Sequence, residues 1–310
     1  AFFYNLILAM PKHTPPQIWK PDFAQHPLFA GFESACDEFE GSIWPTLSLL
    51  NSLAHKKEIM NAQHTTIQFS EQDAPKGQRA YESQIFHSGM VPTRAENWHD
   101  LLNACAWLTW PKLKSALNHI HCSQFMFTRI KVGRAVNNDR DINFNDINFL
   151  AQHHDKPKIS DPFQRNGISD TATLFDESGA VLIGPDPRLA QWLIDHDWQN
   201  AFVTHRHLWQ THRLLIVGHA LLEKTLNPYP GMIAKVLYQP HPAYTTDADL
   251  STVVKTVDAL LAQRWLNQIF TKPSDLFAVP VLGVPGVDAL NESSRFYENK
   301  SVFRPLRSNI

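Results

Sequence analysis

The residue pattern predicts an α+β fold, mostly helical, with a small β-hairpin or sheet element. Three observations carry that expectation. Apolar residues recur at helical spacing, as in Trp44, Leu47, Leu50 and Leu53 and in a long amphipathic stretch over 247–269. Strand-like runs are short: 65–69, then 171–175 and 180–183. The last two flank Asp176-Glu-Ser-Gly179, a hairpin signal with Gly179 suited to positive φ. No internal repeat or low-complexity tract is found.

Taken in order, residues 1–30 read as a proline-rich arm, with Pro11, Pro15, Pro16, Pro21 and Pro27 breaking regular structure and Trp19, Phe23 and Phe29 as anchors. A single globular domain is expected over 31–310. Helix is expected over 32–56, a short strand at 65–69 and a polar turn at 72–78. Thr93 and Glu96 fit a T-x-x-E capping box, so a helix should run to about Trp110. Pro111 then ends or kinks it, and a second helix follows over 112–121. Residues 133–168, rich in Asn, Asp, Arg and His, read as a polar excursion loop. Pro187 predicts a helix over 188–196. An apolar run at 214–217 leads into a helix from Gly218. Pro280–Gly286 reads as a rigid, glycine-punctuated loop.

Composition excludes several classes of function. The chain has 310 residues, 43% hydrophobic and 19% charged, enough to bury a large core rather than stay disordered. A formal net charge of −2 gives no global field for nucleic acid or an anionic membrane. The local basic stretch Lys112–Arg140 is diluted by the acidic residues of 139–155. The first ten residues are apolar, carry no basic residue and are too short to span a bilayer; no other stretch reaches eighteen apolar residues. Three cysteines without a C-x-x-C pattern argue against a disulfide scaffold and fit a reducing cytoplasm. P-loop, dinucleotide, H-E-x-x-H and G-x-S-x-G signatures are absent.

Polar residues in apolar surroundings mark the candidate site. In Asn97-Trp-His-Asp-Leu-Leu-Asn103 a helix places His99 and Asn103 on one stripe, with Asp100 beside them. His99 and Asp100 could act as a general base pair or hold a metal, with Asn103 orienting them. The ordinary alternative is a helix start whose Asp favours the dipole. His219 and Glu223 sit at i and i+4, bringing an imidazole and a carboxylate to one helix face. That spacing equally suits a surface ion pair. Asp170 and Asp176 could add an oxygen ligand, or Asp176-Glu177 could be a solvated turn. Two further clusters, His205/His207/His212 and His119/His121/Cys122, close no recognised zinc pattern.

Several segments together resemble one family: Tyr81-Glu82, Val91-Pro-Thr-Arg94, Asn97–Asn103, Trp107–Lys112, Ala116-Leu-Asn118, Asp170 with Thr173–Gly179, Gly218–Lys224, Pro280–Gly286 and Val302–Pro305. In order, they resemble the bacterial domain of unknown function 3025 family over roughly residues 40–305. The resemblance implies a soluble, single-domain proteobacterial protein and brings no activity with it. Polar blocks spread over 120 residues are most simply explained by one shared site, expected in a pocket roofed by Gly283–Gly286.

The resulting expectation is a cytoplasmic, hydrolase-like enzyme acting on a small molecule. His99 or His219 would be base or metal ligand, and Asp100, Asp176 and Glu223 carboxylate partners. A divalent metal held by His99, His219 and Glu223 fits, as does a metal-free acid/base pair. The alternative is a non-catalytic binding or scaffold protein whose polar motifs form a buried network, with Trp98, Trp107 and Trp110 in the core. Oligomeric state is not legible.

Overall fold

A computed structural model describes residues 15–306 apart from 17, 40, 72–76, 137–166, 242–243 and 245–246, with the backbone only over 124–136. Its α+β architecture sets a four-stranded and a two-stranded sheet among packed helices. No helix among the described residues is long and apolar enough to cross a membrane.

The N-terminal segment folds into two 3-10 turns, Phe23–Gln25 and Pro27–Phe29, and buries Phe23 and Phe29. Trp19 stacks on Trp98 with ring centroids 5.1 Å apart. The helix expected over 32–56 is broken into α1 (Glu33–Cys36) and α2 (Leu47–Lys56). Gly41 at φ +76° turns the chain between them, and Pro45 disfavours helix at Trp44. The Thr46 side chain caps α2 by accepting from the Leu49 N–H.

Strands β1 (Gln68–Ser70) and β2 (Met90–Pro92) pair in parallel, joined across α3 (Gln78–Ser88). Helix α4 (Trp98–Thr109) follows. Its cap is not the expected Thr93/Glu96 box. The Thr93 hydroxyl donates to the Val91 carbonyl, and Glu96 sits at φ +52°, outside the helix. Asn97 caps instead, accepting from the Asp100 N–H at 3.1 Å. Every residue of α4 from Leu101 to Thr109 is buried, so its only routes to water lie at its first turn.

Pro111 opens α5 (Pro111–Val136), far longer than the expected 112–121. The Asp258 carboxylate on α9 (Leu250–Leu266) accepts from Lys112 N–H at 3.0 Å and Leu113 N–H at 2.8 Å. Two of the donors a helix start leaves open are thereby satisfied from another element. Of the expected excursion loop over 133–168, residues 133–136 finish α5 and 167–168 begin α6; its body, 137–166, lies outside the described residues.

The expected hairpin over 171–183 is not formed. Helix α6 (Gly167–Ser178) runs directly into β3 (Gly179–Gly184). Buried Thr171, Ala172 and Phe175 recur at helical period, and the Thr171 and Thr173 hydroxyls donate to the Gly167 and Ser169 carbonyls one turn back. Tertiary packing on one face thus overrides the β-propensity of the threonines. Gly179 does not adopt positive φ either. It is glycine because a Cβ there would lie 2.2 Å from the Phe175 carbonyl oxygen.

Every residue of β3 is buried. It pairs antiparallel with β4 (Arg213–Ile216) and parallel with β5 (Ile233–Pro240), which pairs antiparallel with β6 (Phe277–Pro280), giving the order β4-β3-β5-β6. Helix α7 (Pro187–Ile194) lies between β3 and β4, and α8 (His219–Thr225) leaves the end of β4. Trp107, Trp110, Phe175 and Trp265 are fully buried in one core, and the Trp110 indole donates to the Ile216 carbonyl at 3.1 Å. Cys36, Cys105 and Cys122 are free and buried.

Gly218 begins α8 at the point where α6 ends. A Cβ on it would meet Glu177 O, Ser178 N and Gly179 N, each at 2.5 Å. Gly218→Ala should therefore destabilise the fold by ~2–3 kcal/mol through backbone displacement, read from chemical denaturation. Asp258 supplies a second check. Burial, against the two backbone hydrogen bonds it accepts, pushes its carboxyl up to about 6. A carboxyl raised on folding favours the native state below its unfolded pKa and loses that contribution as pH rises through the folded one. Between the ordinary carboxylate range and pH 6 the stability of the parent should fall relative to Asp258→Asn, and the difference should be flat above.

Candidate functional site

Three chain ends converge at the same edge of the β3/β4 ladder: the first turn of α4, the last turn of α6 and the first turn of α8. The crossing of α6 and α8 is fixed by the Gly179 carbonyl, which accepts from both Val217 and Gly218 N–H at 2.9 Å. Helix α8 packs on both α4 and α6.

This arrangement brings His99, His219, Glu223 and Asp176 together. The His99 ring contacts the His219 ring at 4.6 Å between centroids, with Nε2 facing Nε2 at 3.2 Å. His99 Nδ1 points away, to Glu223 Oε2 at 3.0 Å. His219 Nδ1 also points away, to the Asp176 carbonyl oxygen at 2.9 Å. A carbonyl can only accept, so His219 Nδ1 carries the proton and its Nε2 a lone pair. A carboxylate on His99 Nδ1 assigns the same tautomer there. Two lone pairs then face each other, which is repulsive unless a proton or a cation sits between them.

The electrostatics of the pair are unequal. His99, 38% exposed, is raised above the ordinary histidine value by its hydrogen bond to Glu223, against the opposing effect of burial. His219 is buried, and desolvation pushes it down to about 3 despite the attraction of Asp176. It is thus a neutral imidazole at physiological pH. Glu177, 43% exposed, has a carboxylate oxygen 3.9 Å from His219 Nε2, and burial followed by the neighbouring Asp176 charge raises its carboxyl. His99, Glu177 and His219 each offer one ligand atom within 4.8 Å of the others, and no other group of this kind occurs among the described residues.

Sequence reasoning paired Glu223 with the two histidines as a ligand and treated Glu177 as a turn residue. In the structure Glu223 lies behind His99, on the wrong nitrogen to share an ion with His219, and Glu177 faces Nε2 instead. The signal for Glu177 was hidden because a helix, not a hairpin turn, ends there.

The other expected residues take different places. Asp100 accepts from the Arg94 backbone and guanidinium at 2.8 to 2.9 Å, tying the loop before α4 to its first turn. Asp170 lies six residues before Asp176, about 9 Å away along α6, and is not a member of the three-residue group. Asp176 turns its side chain inward to Lys114 Nζ at 2.6 Å. Lys114 also donates to Asn103 Oδ1 at 2.9 Å, and Asn103 donates to the Tyr81 hydroxyl at 2.9 Å. Burial alone would raise the Asp176 carboxyl, but the Lys114 ammonium outweighs it and holds it below the usual range.

The Gly283–Gly286 loop does not roof this group. It packs on Phe202 and Phe303, and the Asn291 side chain and Tyr297 hydroxyl donate to its carbonyls. Neither remaining histidine cluster forms a metal-ligand group among the described residues: His205 stacks on Trp192 at 4.5 Å, His212 faces backbone carbonyls, and His119 packs against Phe86. The basic stretch beyond Arg129 falls on residues without described side chains.

The chain matches the family described as a protein of unknown function, DUF3025, over residues 67–160 and 137–307, and belongs to it. No curated protein and no solved structure matches the chain.

The Lys114–Asp176 pair gives a prediction about the base of this arrangement. Lys114 is 6% and Asp176 19% exposed, so removing one partner strands a charge away from water. Lys114→Met should cost ~3–5 kcal/mol in urea denaturation. Adding Asp176→Asn should recover part of that loss, a coupling a double-mutant cycle measures.

Proposed function

We propose that the chain is a metal-dependent hydrolase whose divalent cation is held by His99 Nε2, His219 Nε2 and a Glu177 carboxylate oxygen. The carrying observation is the pair of Nε2 atoms facing each other at 3.2 Å, each ring anchored through its other nitrogen. With zinc–nitrogen bonds of ~2.05 Å, two ligands of a tetrahedral ion stand about 3.3 Å apart, close to the observed spacing. Glu177 stands 3.9 Å from His219 Nε2 and within 4.8 Å of the His99 ligand atom, so its partly exposed side chain has to close by about an ångström to share the ion. Two imidazoles and one carboxylate leave a coordination position open, the arrangement of catalytic rather than structural sites. Such a cation supplies Lewis acidity and makes water a usable nucleophile near neutral pH.

The chain's own residues set the geometry. Glu223 accepts the His99 Nδ1 proton, fixing the ring and raising its basicity; the Asp176 carbonyl does the same for His219. Burial keeps His219 unprotonated and therefore ready to donate its lone pair. Half-exposed His99 and Glu177 leave an approach for a small-molecule substrate from solvent. Free, buried cysteines support a reducing, cytoplasmic setting.

The structural-network alternative draws support from the inner half of the polar set. Tyr81, Asn103, Lys114 and Asp176 form a continuous buried chain that packs α3, α4, α5 and α6 together. Those residues are read here as supporting structure, and His99, Glu177 and His219 as the reacting edge.

Metal analysis of untagged protein tests the proposal. One divalent ion per chain is expected, lost in His99→Ala and His219→Ala and reduced in Glu177→Gln. Glu223→Gln should weaken affinity roughly 10–100-fold while leaving the ligands in place. Zinc with chelator-sensitive cleavage of model ester or phosphoester substrates supports hydrolysis. Iron would redirect the reading to oxygen chemistry, for which two histidines and a carboxylate are also suited. Protein that stays metal-free in excess zinc would rule the proposal out.

A further inference from the structure

A cavity lies where the Pro27–Phe29 turn, the start of β4 and the segment after Gly283 meet. Its volume is about 570 Å³, within the range of small-molecule pockets. Leu28, Trp209 and Val284 give it apolar walls, and all three are otherwise buried side chains of the core.

Its charges do not cancel. Arg206 is fully engaged: Nη1 donates to Asn291 O and the Tyr297 hydroxyl, and Nη2 to Asn291 Oδ1 and, at 2.7 Å, to Glu292 Oε1. Arg206 and Glu292 therefore neutralise each other at the rim. The side chain of Arg213, which lines the same cavity, has no hydrogen-bond or ion-pair partner among the described residues. Its planar guanidinium is therefore left to solvent in the cleft, and that fork suits a carboxylate or phosphate.

From these features we infer that the cleft binds a small organic anion, its charged head on Arg213 and its apolar body against Leu28, Trp209 and Val284. Arg213 opens β4, whereas Gly218 and His219 follow its other end. The cleft and the His99–His219 group share no side chain. It is therefore an additional binding site whose existence does not depend on the proposed hydrolase.

Titration calorimetry of the 310-residue chain with phenylacetate and phenyl phosphate tests this. Saturable one-to-one binding is expected for at least one, with neutral phenylacetamide and inorganic phosphate each at least tenfold weaker. Arg213→Gln should weaken binding at least tenfold. Gln210→Glu, an exposed change on the cleft lining, should weaken it several-fold without disturbing the core. Binding should persist in His219→Ala. Absence of saturable binding, indifference to both cleft substitutions, or loss in His219→Ala would each overturn the inference.

Discussion

Two backbones touch where α6 ends and α8 begins, and the absence of side chains at Gly179 and Gly218 permits it. Gly218 leaves no room for a methyl group against Glu177, Ser178 and Gly179, and the Gly179 carbonyl collects two N–H donors from the chain entering α8. The consequence is positional. His219, the first residue of α8, is pressed against the Asp176 carbonyl, and Glu177 is left facing the same nitrogen that His99 faces from α4. Displace that crossing by an ångström and the two imidazoles no longer meet.

Behind the crossing, the polar chain through Lys114 explains why so apolar a helix as α4 carries Asn103. Asp176 is held by a buried ammonium that is itself satisfied by Asn103 and lies 5.5 Å over the Trp107 ring. A buried charge is tolerable only with such partners. The same network holds the Asp176 carboxylate on Lys114, so that its backbone carbonyl takes the hydrogen bond from His219 Nδ1 at 2.9 Å while a carboxylate oxygen stands 3.7 Å from the same nitrogen. One residue thus braces the core with its side chain and orients an imidazole with its main chain.

The sheet separates two chemically different ends of β4. At one end lie His219 and its acidic neighbours; at the other lies the unpaired Arg213 in an apolar-walled cleft. Side chains with unsatisfied capacity therefore sit at both ends of one short strand, while β3 beside it is wholly buried. That division gives a rigid core whose margins carry the exposed polar groups.

Much of this was determined by sequence alone. The helical period around Trp107, the i, i+4 spacing of His219 and Glu223, the Asn97–Asn103 motif and the family membership are local properties, set by rise per residue and by which side chains can cap or pack. The helix start at Pro187 and the break between helices at Pro111 followed from ring chemistry. What local pattern could not decide was α6: the runs 171–175 and 180–183 about the Asp176–Gly179 turn signal read as a hairpin, and only burial of Thr171, Ala172 and Phe175 on one face made the first of them helix. With that error went the placement of Glu177, which ends a helix opposite α8 and so faces His219 Nε2. The pairing of His99 with His219, 120 residues apart, and the unpartnered state of Arg213 belong to tertiary structure entirely, because the contacts that create them join segments no spacing rule connects.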